Sequence, residues 1–185
     1  MKKIGKYVVL SAPSGAGKTT IARKLVEEHK EMVISISATT RKRRPQEKEG
    51  FDYFYLTADQ FKKNIGEGNF VEYEEVHGNY YGTLKNVIEK LHAEGRSIVF
   101  DIDVKGALSI KKKYPEAILI FINAPSKEEL LKRLRNRKSE DEETIRLRLE
   151  RIEIELSYAS KFDYNAINDT LAHTIEQIEE IISNR

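Results

Sequence analysis

The chain has 185 residues, 39% of them hydrophobic and 34% charged, which fits one globular domain with a buried core and a highly charged surface. The formal net charge of +2 is too small to indicate nucleic-acid or membrane binding, and the lack of cysteine excludes disulfides and thiolate sites. The N-terminal apolar run from Tyr7 to Leu10 is too short for a signal peptide, and no stretch approaches the ~20 apolar residues of a membrane span. We therefore expect a cytoplasmic protein, monomeric or homo-oligomeric, that binds neither nucleic acid nor membrane.

Apolar runs alternate with helical patterns along most of the chain. The runs that predict buried strands cover residues 7–10, 32–36, 97–100 and 117–122. Apolar residues at helical spacing predict helices over residues 19–29 and, near the C-terminus, about 173–183. Strands separated by helices are typical of a parallel sheet with crossover connections, which predicts an α/β fold of three layers.

Two regions depart from this alternation. Residues 37–83 are rich in aromatic, glycine and charged residues and predict an inserted subdomain of short mixed strands around one helix, which a capping box at 57–60 would begin. Residues 126–159 are charged and helical, with capping boxes at 126–129 and 139–142. They predict two helices with a bend near Lys138. The core would then comprise residues 1–36, 84–125 and 160–185.

A segment between the first predicted strand and helix is suited to bind a triphosphate. It reads Ala12-Pro-Ser-Gly-Ala-Gly-Lys-Thr19 and is followed by Thr20. Small residues let backbone N–H groups approach phosphate oxygens, and the start of a helix attracts anions. Lys18 would reach the β- and γ-phosphates, and the Thr19 hydroxyl would bind Mg²⁺. This phosphate loop predicts a P-loop fold and phosphoryl transfer, although Ala12 stands where glycine is usual.

Two acidic residues, Asp101 and Asp103, follow the apolar run that begins at residue 97. Because side chains alternate along a strand, both are expected on one face. Carboxylates so close to the buried middle of a sheet are unfavourable unless a cation or a donor compensates them. Beside a phosphate loop, this pattern predicts a carboxylate that supports the metal ion.

Four basic residues crowd the six positions from Thr39 to Arg44. Such a run is usually a solvated surface, but two arginines with Tyr53 nearby could bind a monophosphate, because guanidinium groups pair with phosphate oxygens through two hydrogen bonds. The sequence leaves these two interpretations open at this point.

Taken together, these segments resemble the guanylate kinases, which phosphorylate GMP with ATP. The resemblance runs in family order over nearly the whole chain. It rests on the phosphate loop, Ser37–Arg41 with Arg44 and Pro45, Gly50–Tyr53, Phe70–Tyr73, Gly78–Gly82, Asp101–Asp103 with Gly106, and residues 133–148. It implies that ATP and GMP, with Mg²⁺, give ADP and GDP; dGMP is a further expected acceptor. It also implies that residues 37–83 bind GMP and that residues 126–159 form a lid.

The resemblance assigns roles residue by residue. The catalytic residues would be Lys18, Arg41, Asp101, Arg137 and Arg148. Those that bind ATP would be Ala12, Pro13, Ser14, Gly15, Ala16, Gly17, Lys18, Thr19, Thr20, Arg133, Arg137 and Asn168. Those that bind GMP would be Ser37, Arg41, Arg44, Tyr53, Glu72, Tyr81, Thr83 and Asp103. Thr19 and, through water, Asp101 would hold the metal.

The chemistry of guanine agrees with the role implied for Glu72. Guanine presents an N1–H and an N2 amino group side by side, and a carboxylate can accept from both. Adenine presents no such pair, so a buried Glu72 would be left without donors by AMP. Sites built on such hydrogen bonds discriminate by roughly 10⁴-fold or more.

Three alternatives are weighed against this assignment. Guanylate-kinase-like domains of scaffolding proteins bind phosphorylated peptides, typically with a degraded phosphate loop, whereas Gly17, Lys18 and Thr19 are present here. A kinase for AMP, a pyrimidine monophosphate or a small metabolite would keep the loop but lack Glu72. A nucleic-acid binder is disfavoured because the basic run is short and the net charge is small.

Overall fold

The computed structural model describes residues 5–76, 78–135 and 142–185. In chain order its elements are β1 (Tyr7–Ser11), α1 (Lys18–Glu28), β2 (Met32–Ile34), β3 (Ala38–Thr39), β4 (Phe54–Tyr55), α2 (Ala58–Gly66), β5 (Phe70–Val76), β6 (Asn79–Leu84), α3 (Lys85–Ala93), β7 (Ser97–Asp101), α4 (Val104–Lys113), β8 (Ile118–Asn123), α5 (Lys127–Arg135), α6 (Glu142–Ser157), a 3₁₀ turn (Ala159–Lys161), β9 (Tyr164–Ile167) and α7 (Leu171–Ser183). Among these described elements, no helix is both long and apolar enough to cross a membrane.

A five-stranded parallel sheet forms the centre of the molecule, with strand order β2-β7-β1-β8-β9. Alternate residues of β1 enter two different cores. Val8 and Leu10 pack in the core that contains residues of α1 and α7. Tyr7 and Val9 pack in the core that contains residues of α3 and α4. Because both faces of the sheet are covered, β1 is buried along its whole length, and the predicted three-layer α/β fold is confirmed.

A second, mixed sheet has strand order β4-β3-β6-β5, with β3 parallel to β4 and antiparallel to β6. Helix α2 covers it through Phe61, which stacks on Phe70 and Tyr80. The predicted capping box begins α2, because the Thr57 side chain accepts from the Gln60 N–H and the Gln60 side chain accepts in return from the Thr57 N–H. The prediction of short mixed strands around one helix is therefore confirmed.

The structure differs from the sequence-based expectations at several points. Strand β2 ends at Ile34, two residues early, and β9 was not predicted. Asp103 does not continue strand β7, which ends at Asp101. It is the N-cap of α4 instead, and its side chain accepts from the Gly106 N–H at 2.8 Å. The expectation that both aspartates share one strand face is therefore wrong. The bend expected near Lys138 lies outside the described residues.

The close packing at Gly82 yields a stability prediction. A Cβ atom there would lie 2.9 Å from the Glu72 carbonyl oxygen and 2.9 Å from the Tyr73 Cβ. Gly82→Ala should therefore force β5 and β6 apart and destabilise the fold by about 1–3 kcal/mol. Chemical unfolding followed by circular dichroism measures this. Gly66→Ala is the matched control, since its Cβ would meet no atom within 4 Å. Equal unfolding midpoints for wild type and Gly82→Ala would contradict the prediction.

Candidate functional site

The phosphate loop connects β1 to α1 through a turn that only glycine accommodates easily. Gly15 and Gly17 both have φ of 91°, in the left-handed region. A Cβ on Gly17 would also lie 2.6 Å from the Asn168 side-chain nitrogen. Gly17 is the N-cap of α1 and contributes no capping side chain, so the N–H groups of the first helical turn are available to an anion.

Two side chains from the C-terminal part of the chain hold the loop backbone. The Ser14 N–H donates to Oε2 of Glu155, on α6, at 3.1 Å. The Asn168 amide donates to the Ala16 carbonyl at 2.6 Å and accepts from the Thr174 hydroxyl at 3.1 Å. Glu155 is only 7% exposed, so this carboxylate is a structural part of the site. Sequence reasoning missed it, because its partner Ser14 lies 141 positions away in the chain.

Lys18 and Asp101 form the charged centre of the site. The Lys18 Nζ lies 2.6 Å from Asp101 Oδ1 and donates to the Ile102 carbonyl at 2.9 Å. Strands β1 and β7 are parallel neighbours, so the loop after β1 and the carboxylate at the end of β7 lie at the same edge of the sheet. Thr19 and Thr20 are exposed in the first turn of α1.

Thr19 and Asp101 supply side-chain oxygen atoms at this edge of the sheet that a divalent metal ion could use. Among the described residues, no group of three or more His, Asp or Glu side chains could hold a metal ion. Mg²⁺ commonly takes one or two protein oxygens and completes its shell with water and substrate phosphate. A hydroxyl from Thr19 and a carboxylate from Asp101 match that need.

Arg41, Tyr53 and Tyr81 form a second cluster, here called the acceptor cluster. The Arg41 guanidinium lies 5.3 Å from the centre of the Tyr53 ring, and the Tyr53 and Tyr81 rings lie 6.1 Å apart, edge to face. Burial is the main cause that raises the pKa of Tyr53, and the charges of Tyr81 and Asp101 contribute.

Glu47 connects this cluster to the loop that follows β3. Its carboxylate accepts from Nη1 and Nη2 of Arg41 at 3.1 and 2.7 Å, from the Arg44 N–H at 2.8 Å and from the Tyr55 hydroxyl at 2.8 Å. The hydrogen bonds from Arg41 are the largest cause that lowers the pKa of Glu47 to about 2. Sequence reasoning missed Glu47, which also fixes the backbone of Arg44, whose side chain is exposed.

Glu72 lies in a third cluster with Thr83, Asp103 and Gly106, here called the base pocket after the guanine contact that the resemblance implies for Glu72. The Thr83 hydroxyl donates to Glu72 Oε1 at 2.6 Å, and a Cβ on Gly106 would lie 3.1 Å from Glu72 Oε2. Burial raises the pKa of Glu72 to about 7, and the nearby Asp103 and Glu74 contribute to the rise. Ser37, immediately before β3, accepts from the Phe54 N–H through its carbonyl group.

Of the remaining residues predicted to bind ATP or to act in catalysis, the structure describes some side chains and not others. Arg133, on α5, donates to Glu129 at 2.9 Å and to the Asn168 carbonyl at 3.2 Å, so it lies beside the phosphate loop's Asn168 anchor. Arg137 lies outside the described residues. Arg148 belongs to α6, but its side chain also lies outside the described part of the chain. The ATP contact implied for Asn168 stays a prediction; its amide binds the phosphate loop here.

Comparisons with known proteins agree with this arrangement. The guanylate kinase family model matches residues 4–185. A guanylate kinase from Chlorobium luteolum is 45% identical over 185 residues, covering 100% of this chain and 94% of the relative. One from Fusobacterium nucleatum is 46% identical over 181 residues, covering 98% and 97%. The crystal structure of guanylate kinase from Anaplasma phagocytophilum superposes with a TM-score of 0.79 at 31% identity, covering 100% of this chain and 87% of that one.

The match extends over almost every residue on which the three clusters are built, from the phosphate loop through the acceptor cluster to the C-terminal anchor of the loop. The chain therefore belongs to the guanylate kinase family.

Proposed function

We propose that this guanylate kinase transfers the γ-phosphoryl group of ATP to GMP, and to dGMP, with Mg²⁺ in the cytoplasm. The phosphate loop binds the donor, the acceptor cluster binds the GMP phosphate and the base pocket binds guanine. The observation that carries the proposal is the ion pair between Lys18 and Asp101, 2.6 Å apart, which places a carboxylate beside the lysine of the phosphate loop.

Transfer requires a phosphate oxygen of GMP to attack the γ-phosphorus while the bond to the bridging oxygen of ADP breaks. The GMP phosphate is already ionised near neutral pH, so orientation and positive charge matter more than a general base. Lys18 follows the migrating charge on the donor side, and Arg41 holds the attacking phosphate. Mg²⁺, when bound, would neutralise charge on the β- and γ-phosphate oxygens, with Thr19 and, through water, Asp101 holding it.

The donor and the acceptor nucleotide are bound by different parts of the chain, which define the proposed subdomains. Residues 37–83 bind GMP, and residues 126–159 form a lid that carries Arg133, Arg137 and Arg148. A cleft of about 270 Å³ lies between β5, the start of α4 and α6. Closure of this cleft would exclude water from the transferring phosphoryl group.

In small-angle scattering, addition of an ATP analogue and GMP together should reduce the radius of gyration of the protein, because the lid would close over the cleft. An unchanged radius of gyration would count against a lid.

Replacement of Lys18 tests the donor loop. Lys18→Ala should lower turnover of ATP and GMP by about 10²-fold or more, because a charge that stabilises the transferring phosphoryl group is removed. The measurement is coupled detection of ADP and GDP, with circular dichroism to verify folding. Lys24→Ala is the control: Lys24 lies on the same helix and pairs with Glu27 and Glu28 on the surface. If folded Lys18→Ala matches wild type, or wild type itself consumes no ATP with GMP, the proposal fails.

The environment of Glu72 predicts how GMP binding varies with pH. Its pKa is raised to about 7, so the group becomes protonated as the pH falls through 7 and can then no longer accept from both guanine donors. GMP affinity should therefore weaken between pH 8 and pH 6. Calorimetric titration of GMP across this range measures the change.

Glu72→Gln is the matched control for this titration. It has a similar shape but no titratable group, so the part of the pH dependence that Glu72 causes should disappear, while contributions of the GMP phosphate and of Glu74 persist. The same variant should lower the preference for GMP over AMP by about 10-fold or more. Identical pH profiles and an unchanged preference would show that Glu72 does not bind guanine.

A further inference from the structure

The Arg41 side chain is held in one orientation by the carboxylate of Glu47. Both terminal nitrogens of Arg41 donate to Glu47, at 3.1 and 2.7 Å, and Nη1 also donates to the Lys42 carbonyl at 2.9 Å. The exposed fraction is 18% for the Arg41 side chain and 13% for that of Glu47, so the pair is largely shielded from water. A shielded, two-point ion pair has a fixed geometry, unlike a typical surface pair.

The planar guanidinium group determines which donors are left for a ligand. It carries five N–H donors, of which Glu47 takes one from each terminal nitrogen and the Lys42 carbonyl takes one more from Nη1. The two remaining donors belong to Nε and Nη2, on the side edge of the same plane. The Tyr81 hydroxyl is a hydrogen-bond partner of Arg41, so a phosphate bound at that edge would accept from the guanidinium and lie beside the Tyr81 hydroxyl.

Glu47 is itself constrained from other directions. It accepts from the Arg44 N–H at 2.8 Å and from the Tyr55 hydroxyl at 2.8 Å, so the loop after β3 and the strand β4 both fix its position. The Tyr53 ring lies against the guanidinium at 5.3 Å from its centre. Glu47 therefore holds the two terminal nitrogens of Arg41, and the Tyr53 ring packs on the face of the guanidinium. The edge formed by Nε and Nη2 faces neither of them and has the geometry to bind a phosphate.

We propose that Glu47 is a positioning residue that orients Arg41 so that the Nε and Nη2 edge receives the phosphate of the acceptor nucleotide. This inference rests on the proposed role of Arg41 in binding GMP and adds a residue that acts through it. The carboxylate contributes orientation before the substrate arrives, which reduces the ordering cost of binding. Its negative charge beside the phosphate is tolerated because Arg41 lies between the two anions.

A double-mutant cycle tests this proposal in the full-length enzyme. The variants are Glu47→Gln, Arg41→Ala and the combination, each with KM for GMP, KM for ATP and kcat measured. Glu47→Gln should raise KM for GMP about tenfold, with KM for ATP within about twofold of wild type, because only the GMP phosphate depends on Arg41 orientation. In the Arg41→Ala background, Glu47→Gln should not raise KM for GMP any further. Glu67→Gln, an exposed acid in the same subdomain, is the control and should behave as wild type.

The outcomes separate this inference from the function on which it rests. If Arg41→Ala leaves KM for GMP unchanged, the assigned role of Arg41 is wrong and the inference falls with it. If Arg41→Ala raises KM but Glu47→Gln does not, or lowers it, only the role of Glu47 is overturned. If Glu47→Gln has the same effect with and without Arg41, or shifts KM for ATP equally, Glu47 merely supports the loop and the proposal is also overturned.

Discussion

The ion pair between Lys18 and Asp101 is the interaction around which this site is built. The two groups are 2.6 Å apart, and each side chain is about one-fifth exposed. Removing either charge from water without its partner would cost free energy. They can meet because β1 and β7 are parallel neighbours whose register pairs Leu10 with Asp101. The order of strands in the central sheet therefore brings the donor loop and the acidic strand end together at one edge, and the other clusters are arranged around them.

Three glutamate side chains form hydrogen bonds in the parts of the candidate site, and each lies in a different environment. Glu47 is surrounded by donors, which lower its pKa to about 2 and keep it charged. Glu72 is buried near other acids, which raises its pKa to about 7 and couples its charge state to pH. Glu155 is buried against a backbone N–H of the phosphate loop. The same side-chain type thus behaves differently in the three places because its solvation and its neighbours differ.

Sequence reasoning succeeded where a local pattern determines the structure. The apolar run of β1, the glycines of the loop and the capping box of α2 each carry their own physical signal. It failed for β9, an edge strand in which only Ala166 is buried, because four such residues show no clear period. It extended β7 to Asp103, because alternation alone does not reveal that an aspartate prefers to cap a helix. Glu47 and Glu155 were missed because their partners are brought to them by tertiary folding.

The two residues that hold the backbone of the phosphate loop, Glu155 and Asn168, affect when during synthesis the loop can reach its final structure. Ser14 and Ala16 are bonded to Glu155 and Asn168, partners 141 and 152 positions further along the chain. The second partner follows β9, which joins the sheet only at its edge, beside β8. During synthesis the loop therefore emerges well before the two residues that support it. A ribosome-bound fragment that stops short of residue 168 thus has the nucleotide-binding motif without the scaffold that shapes it.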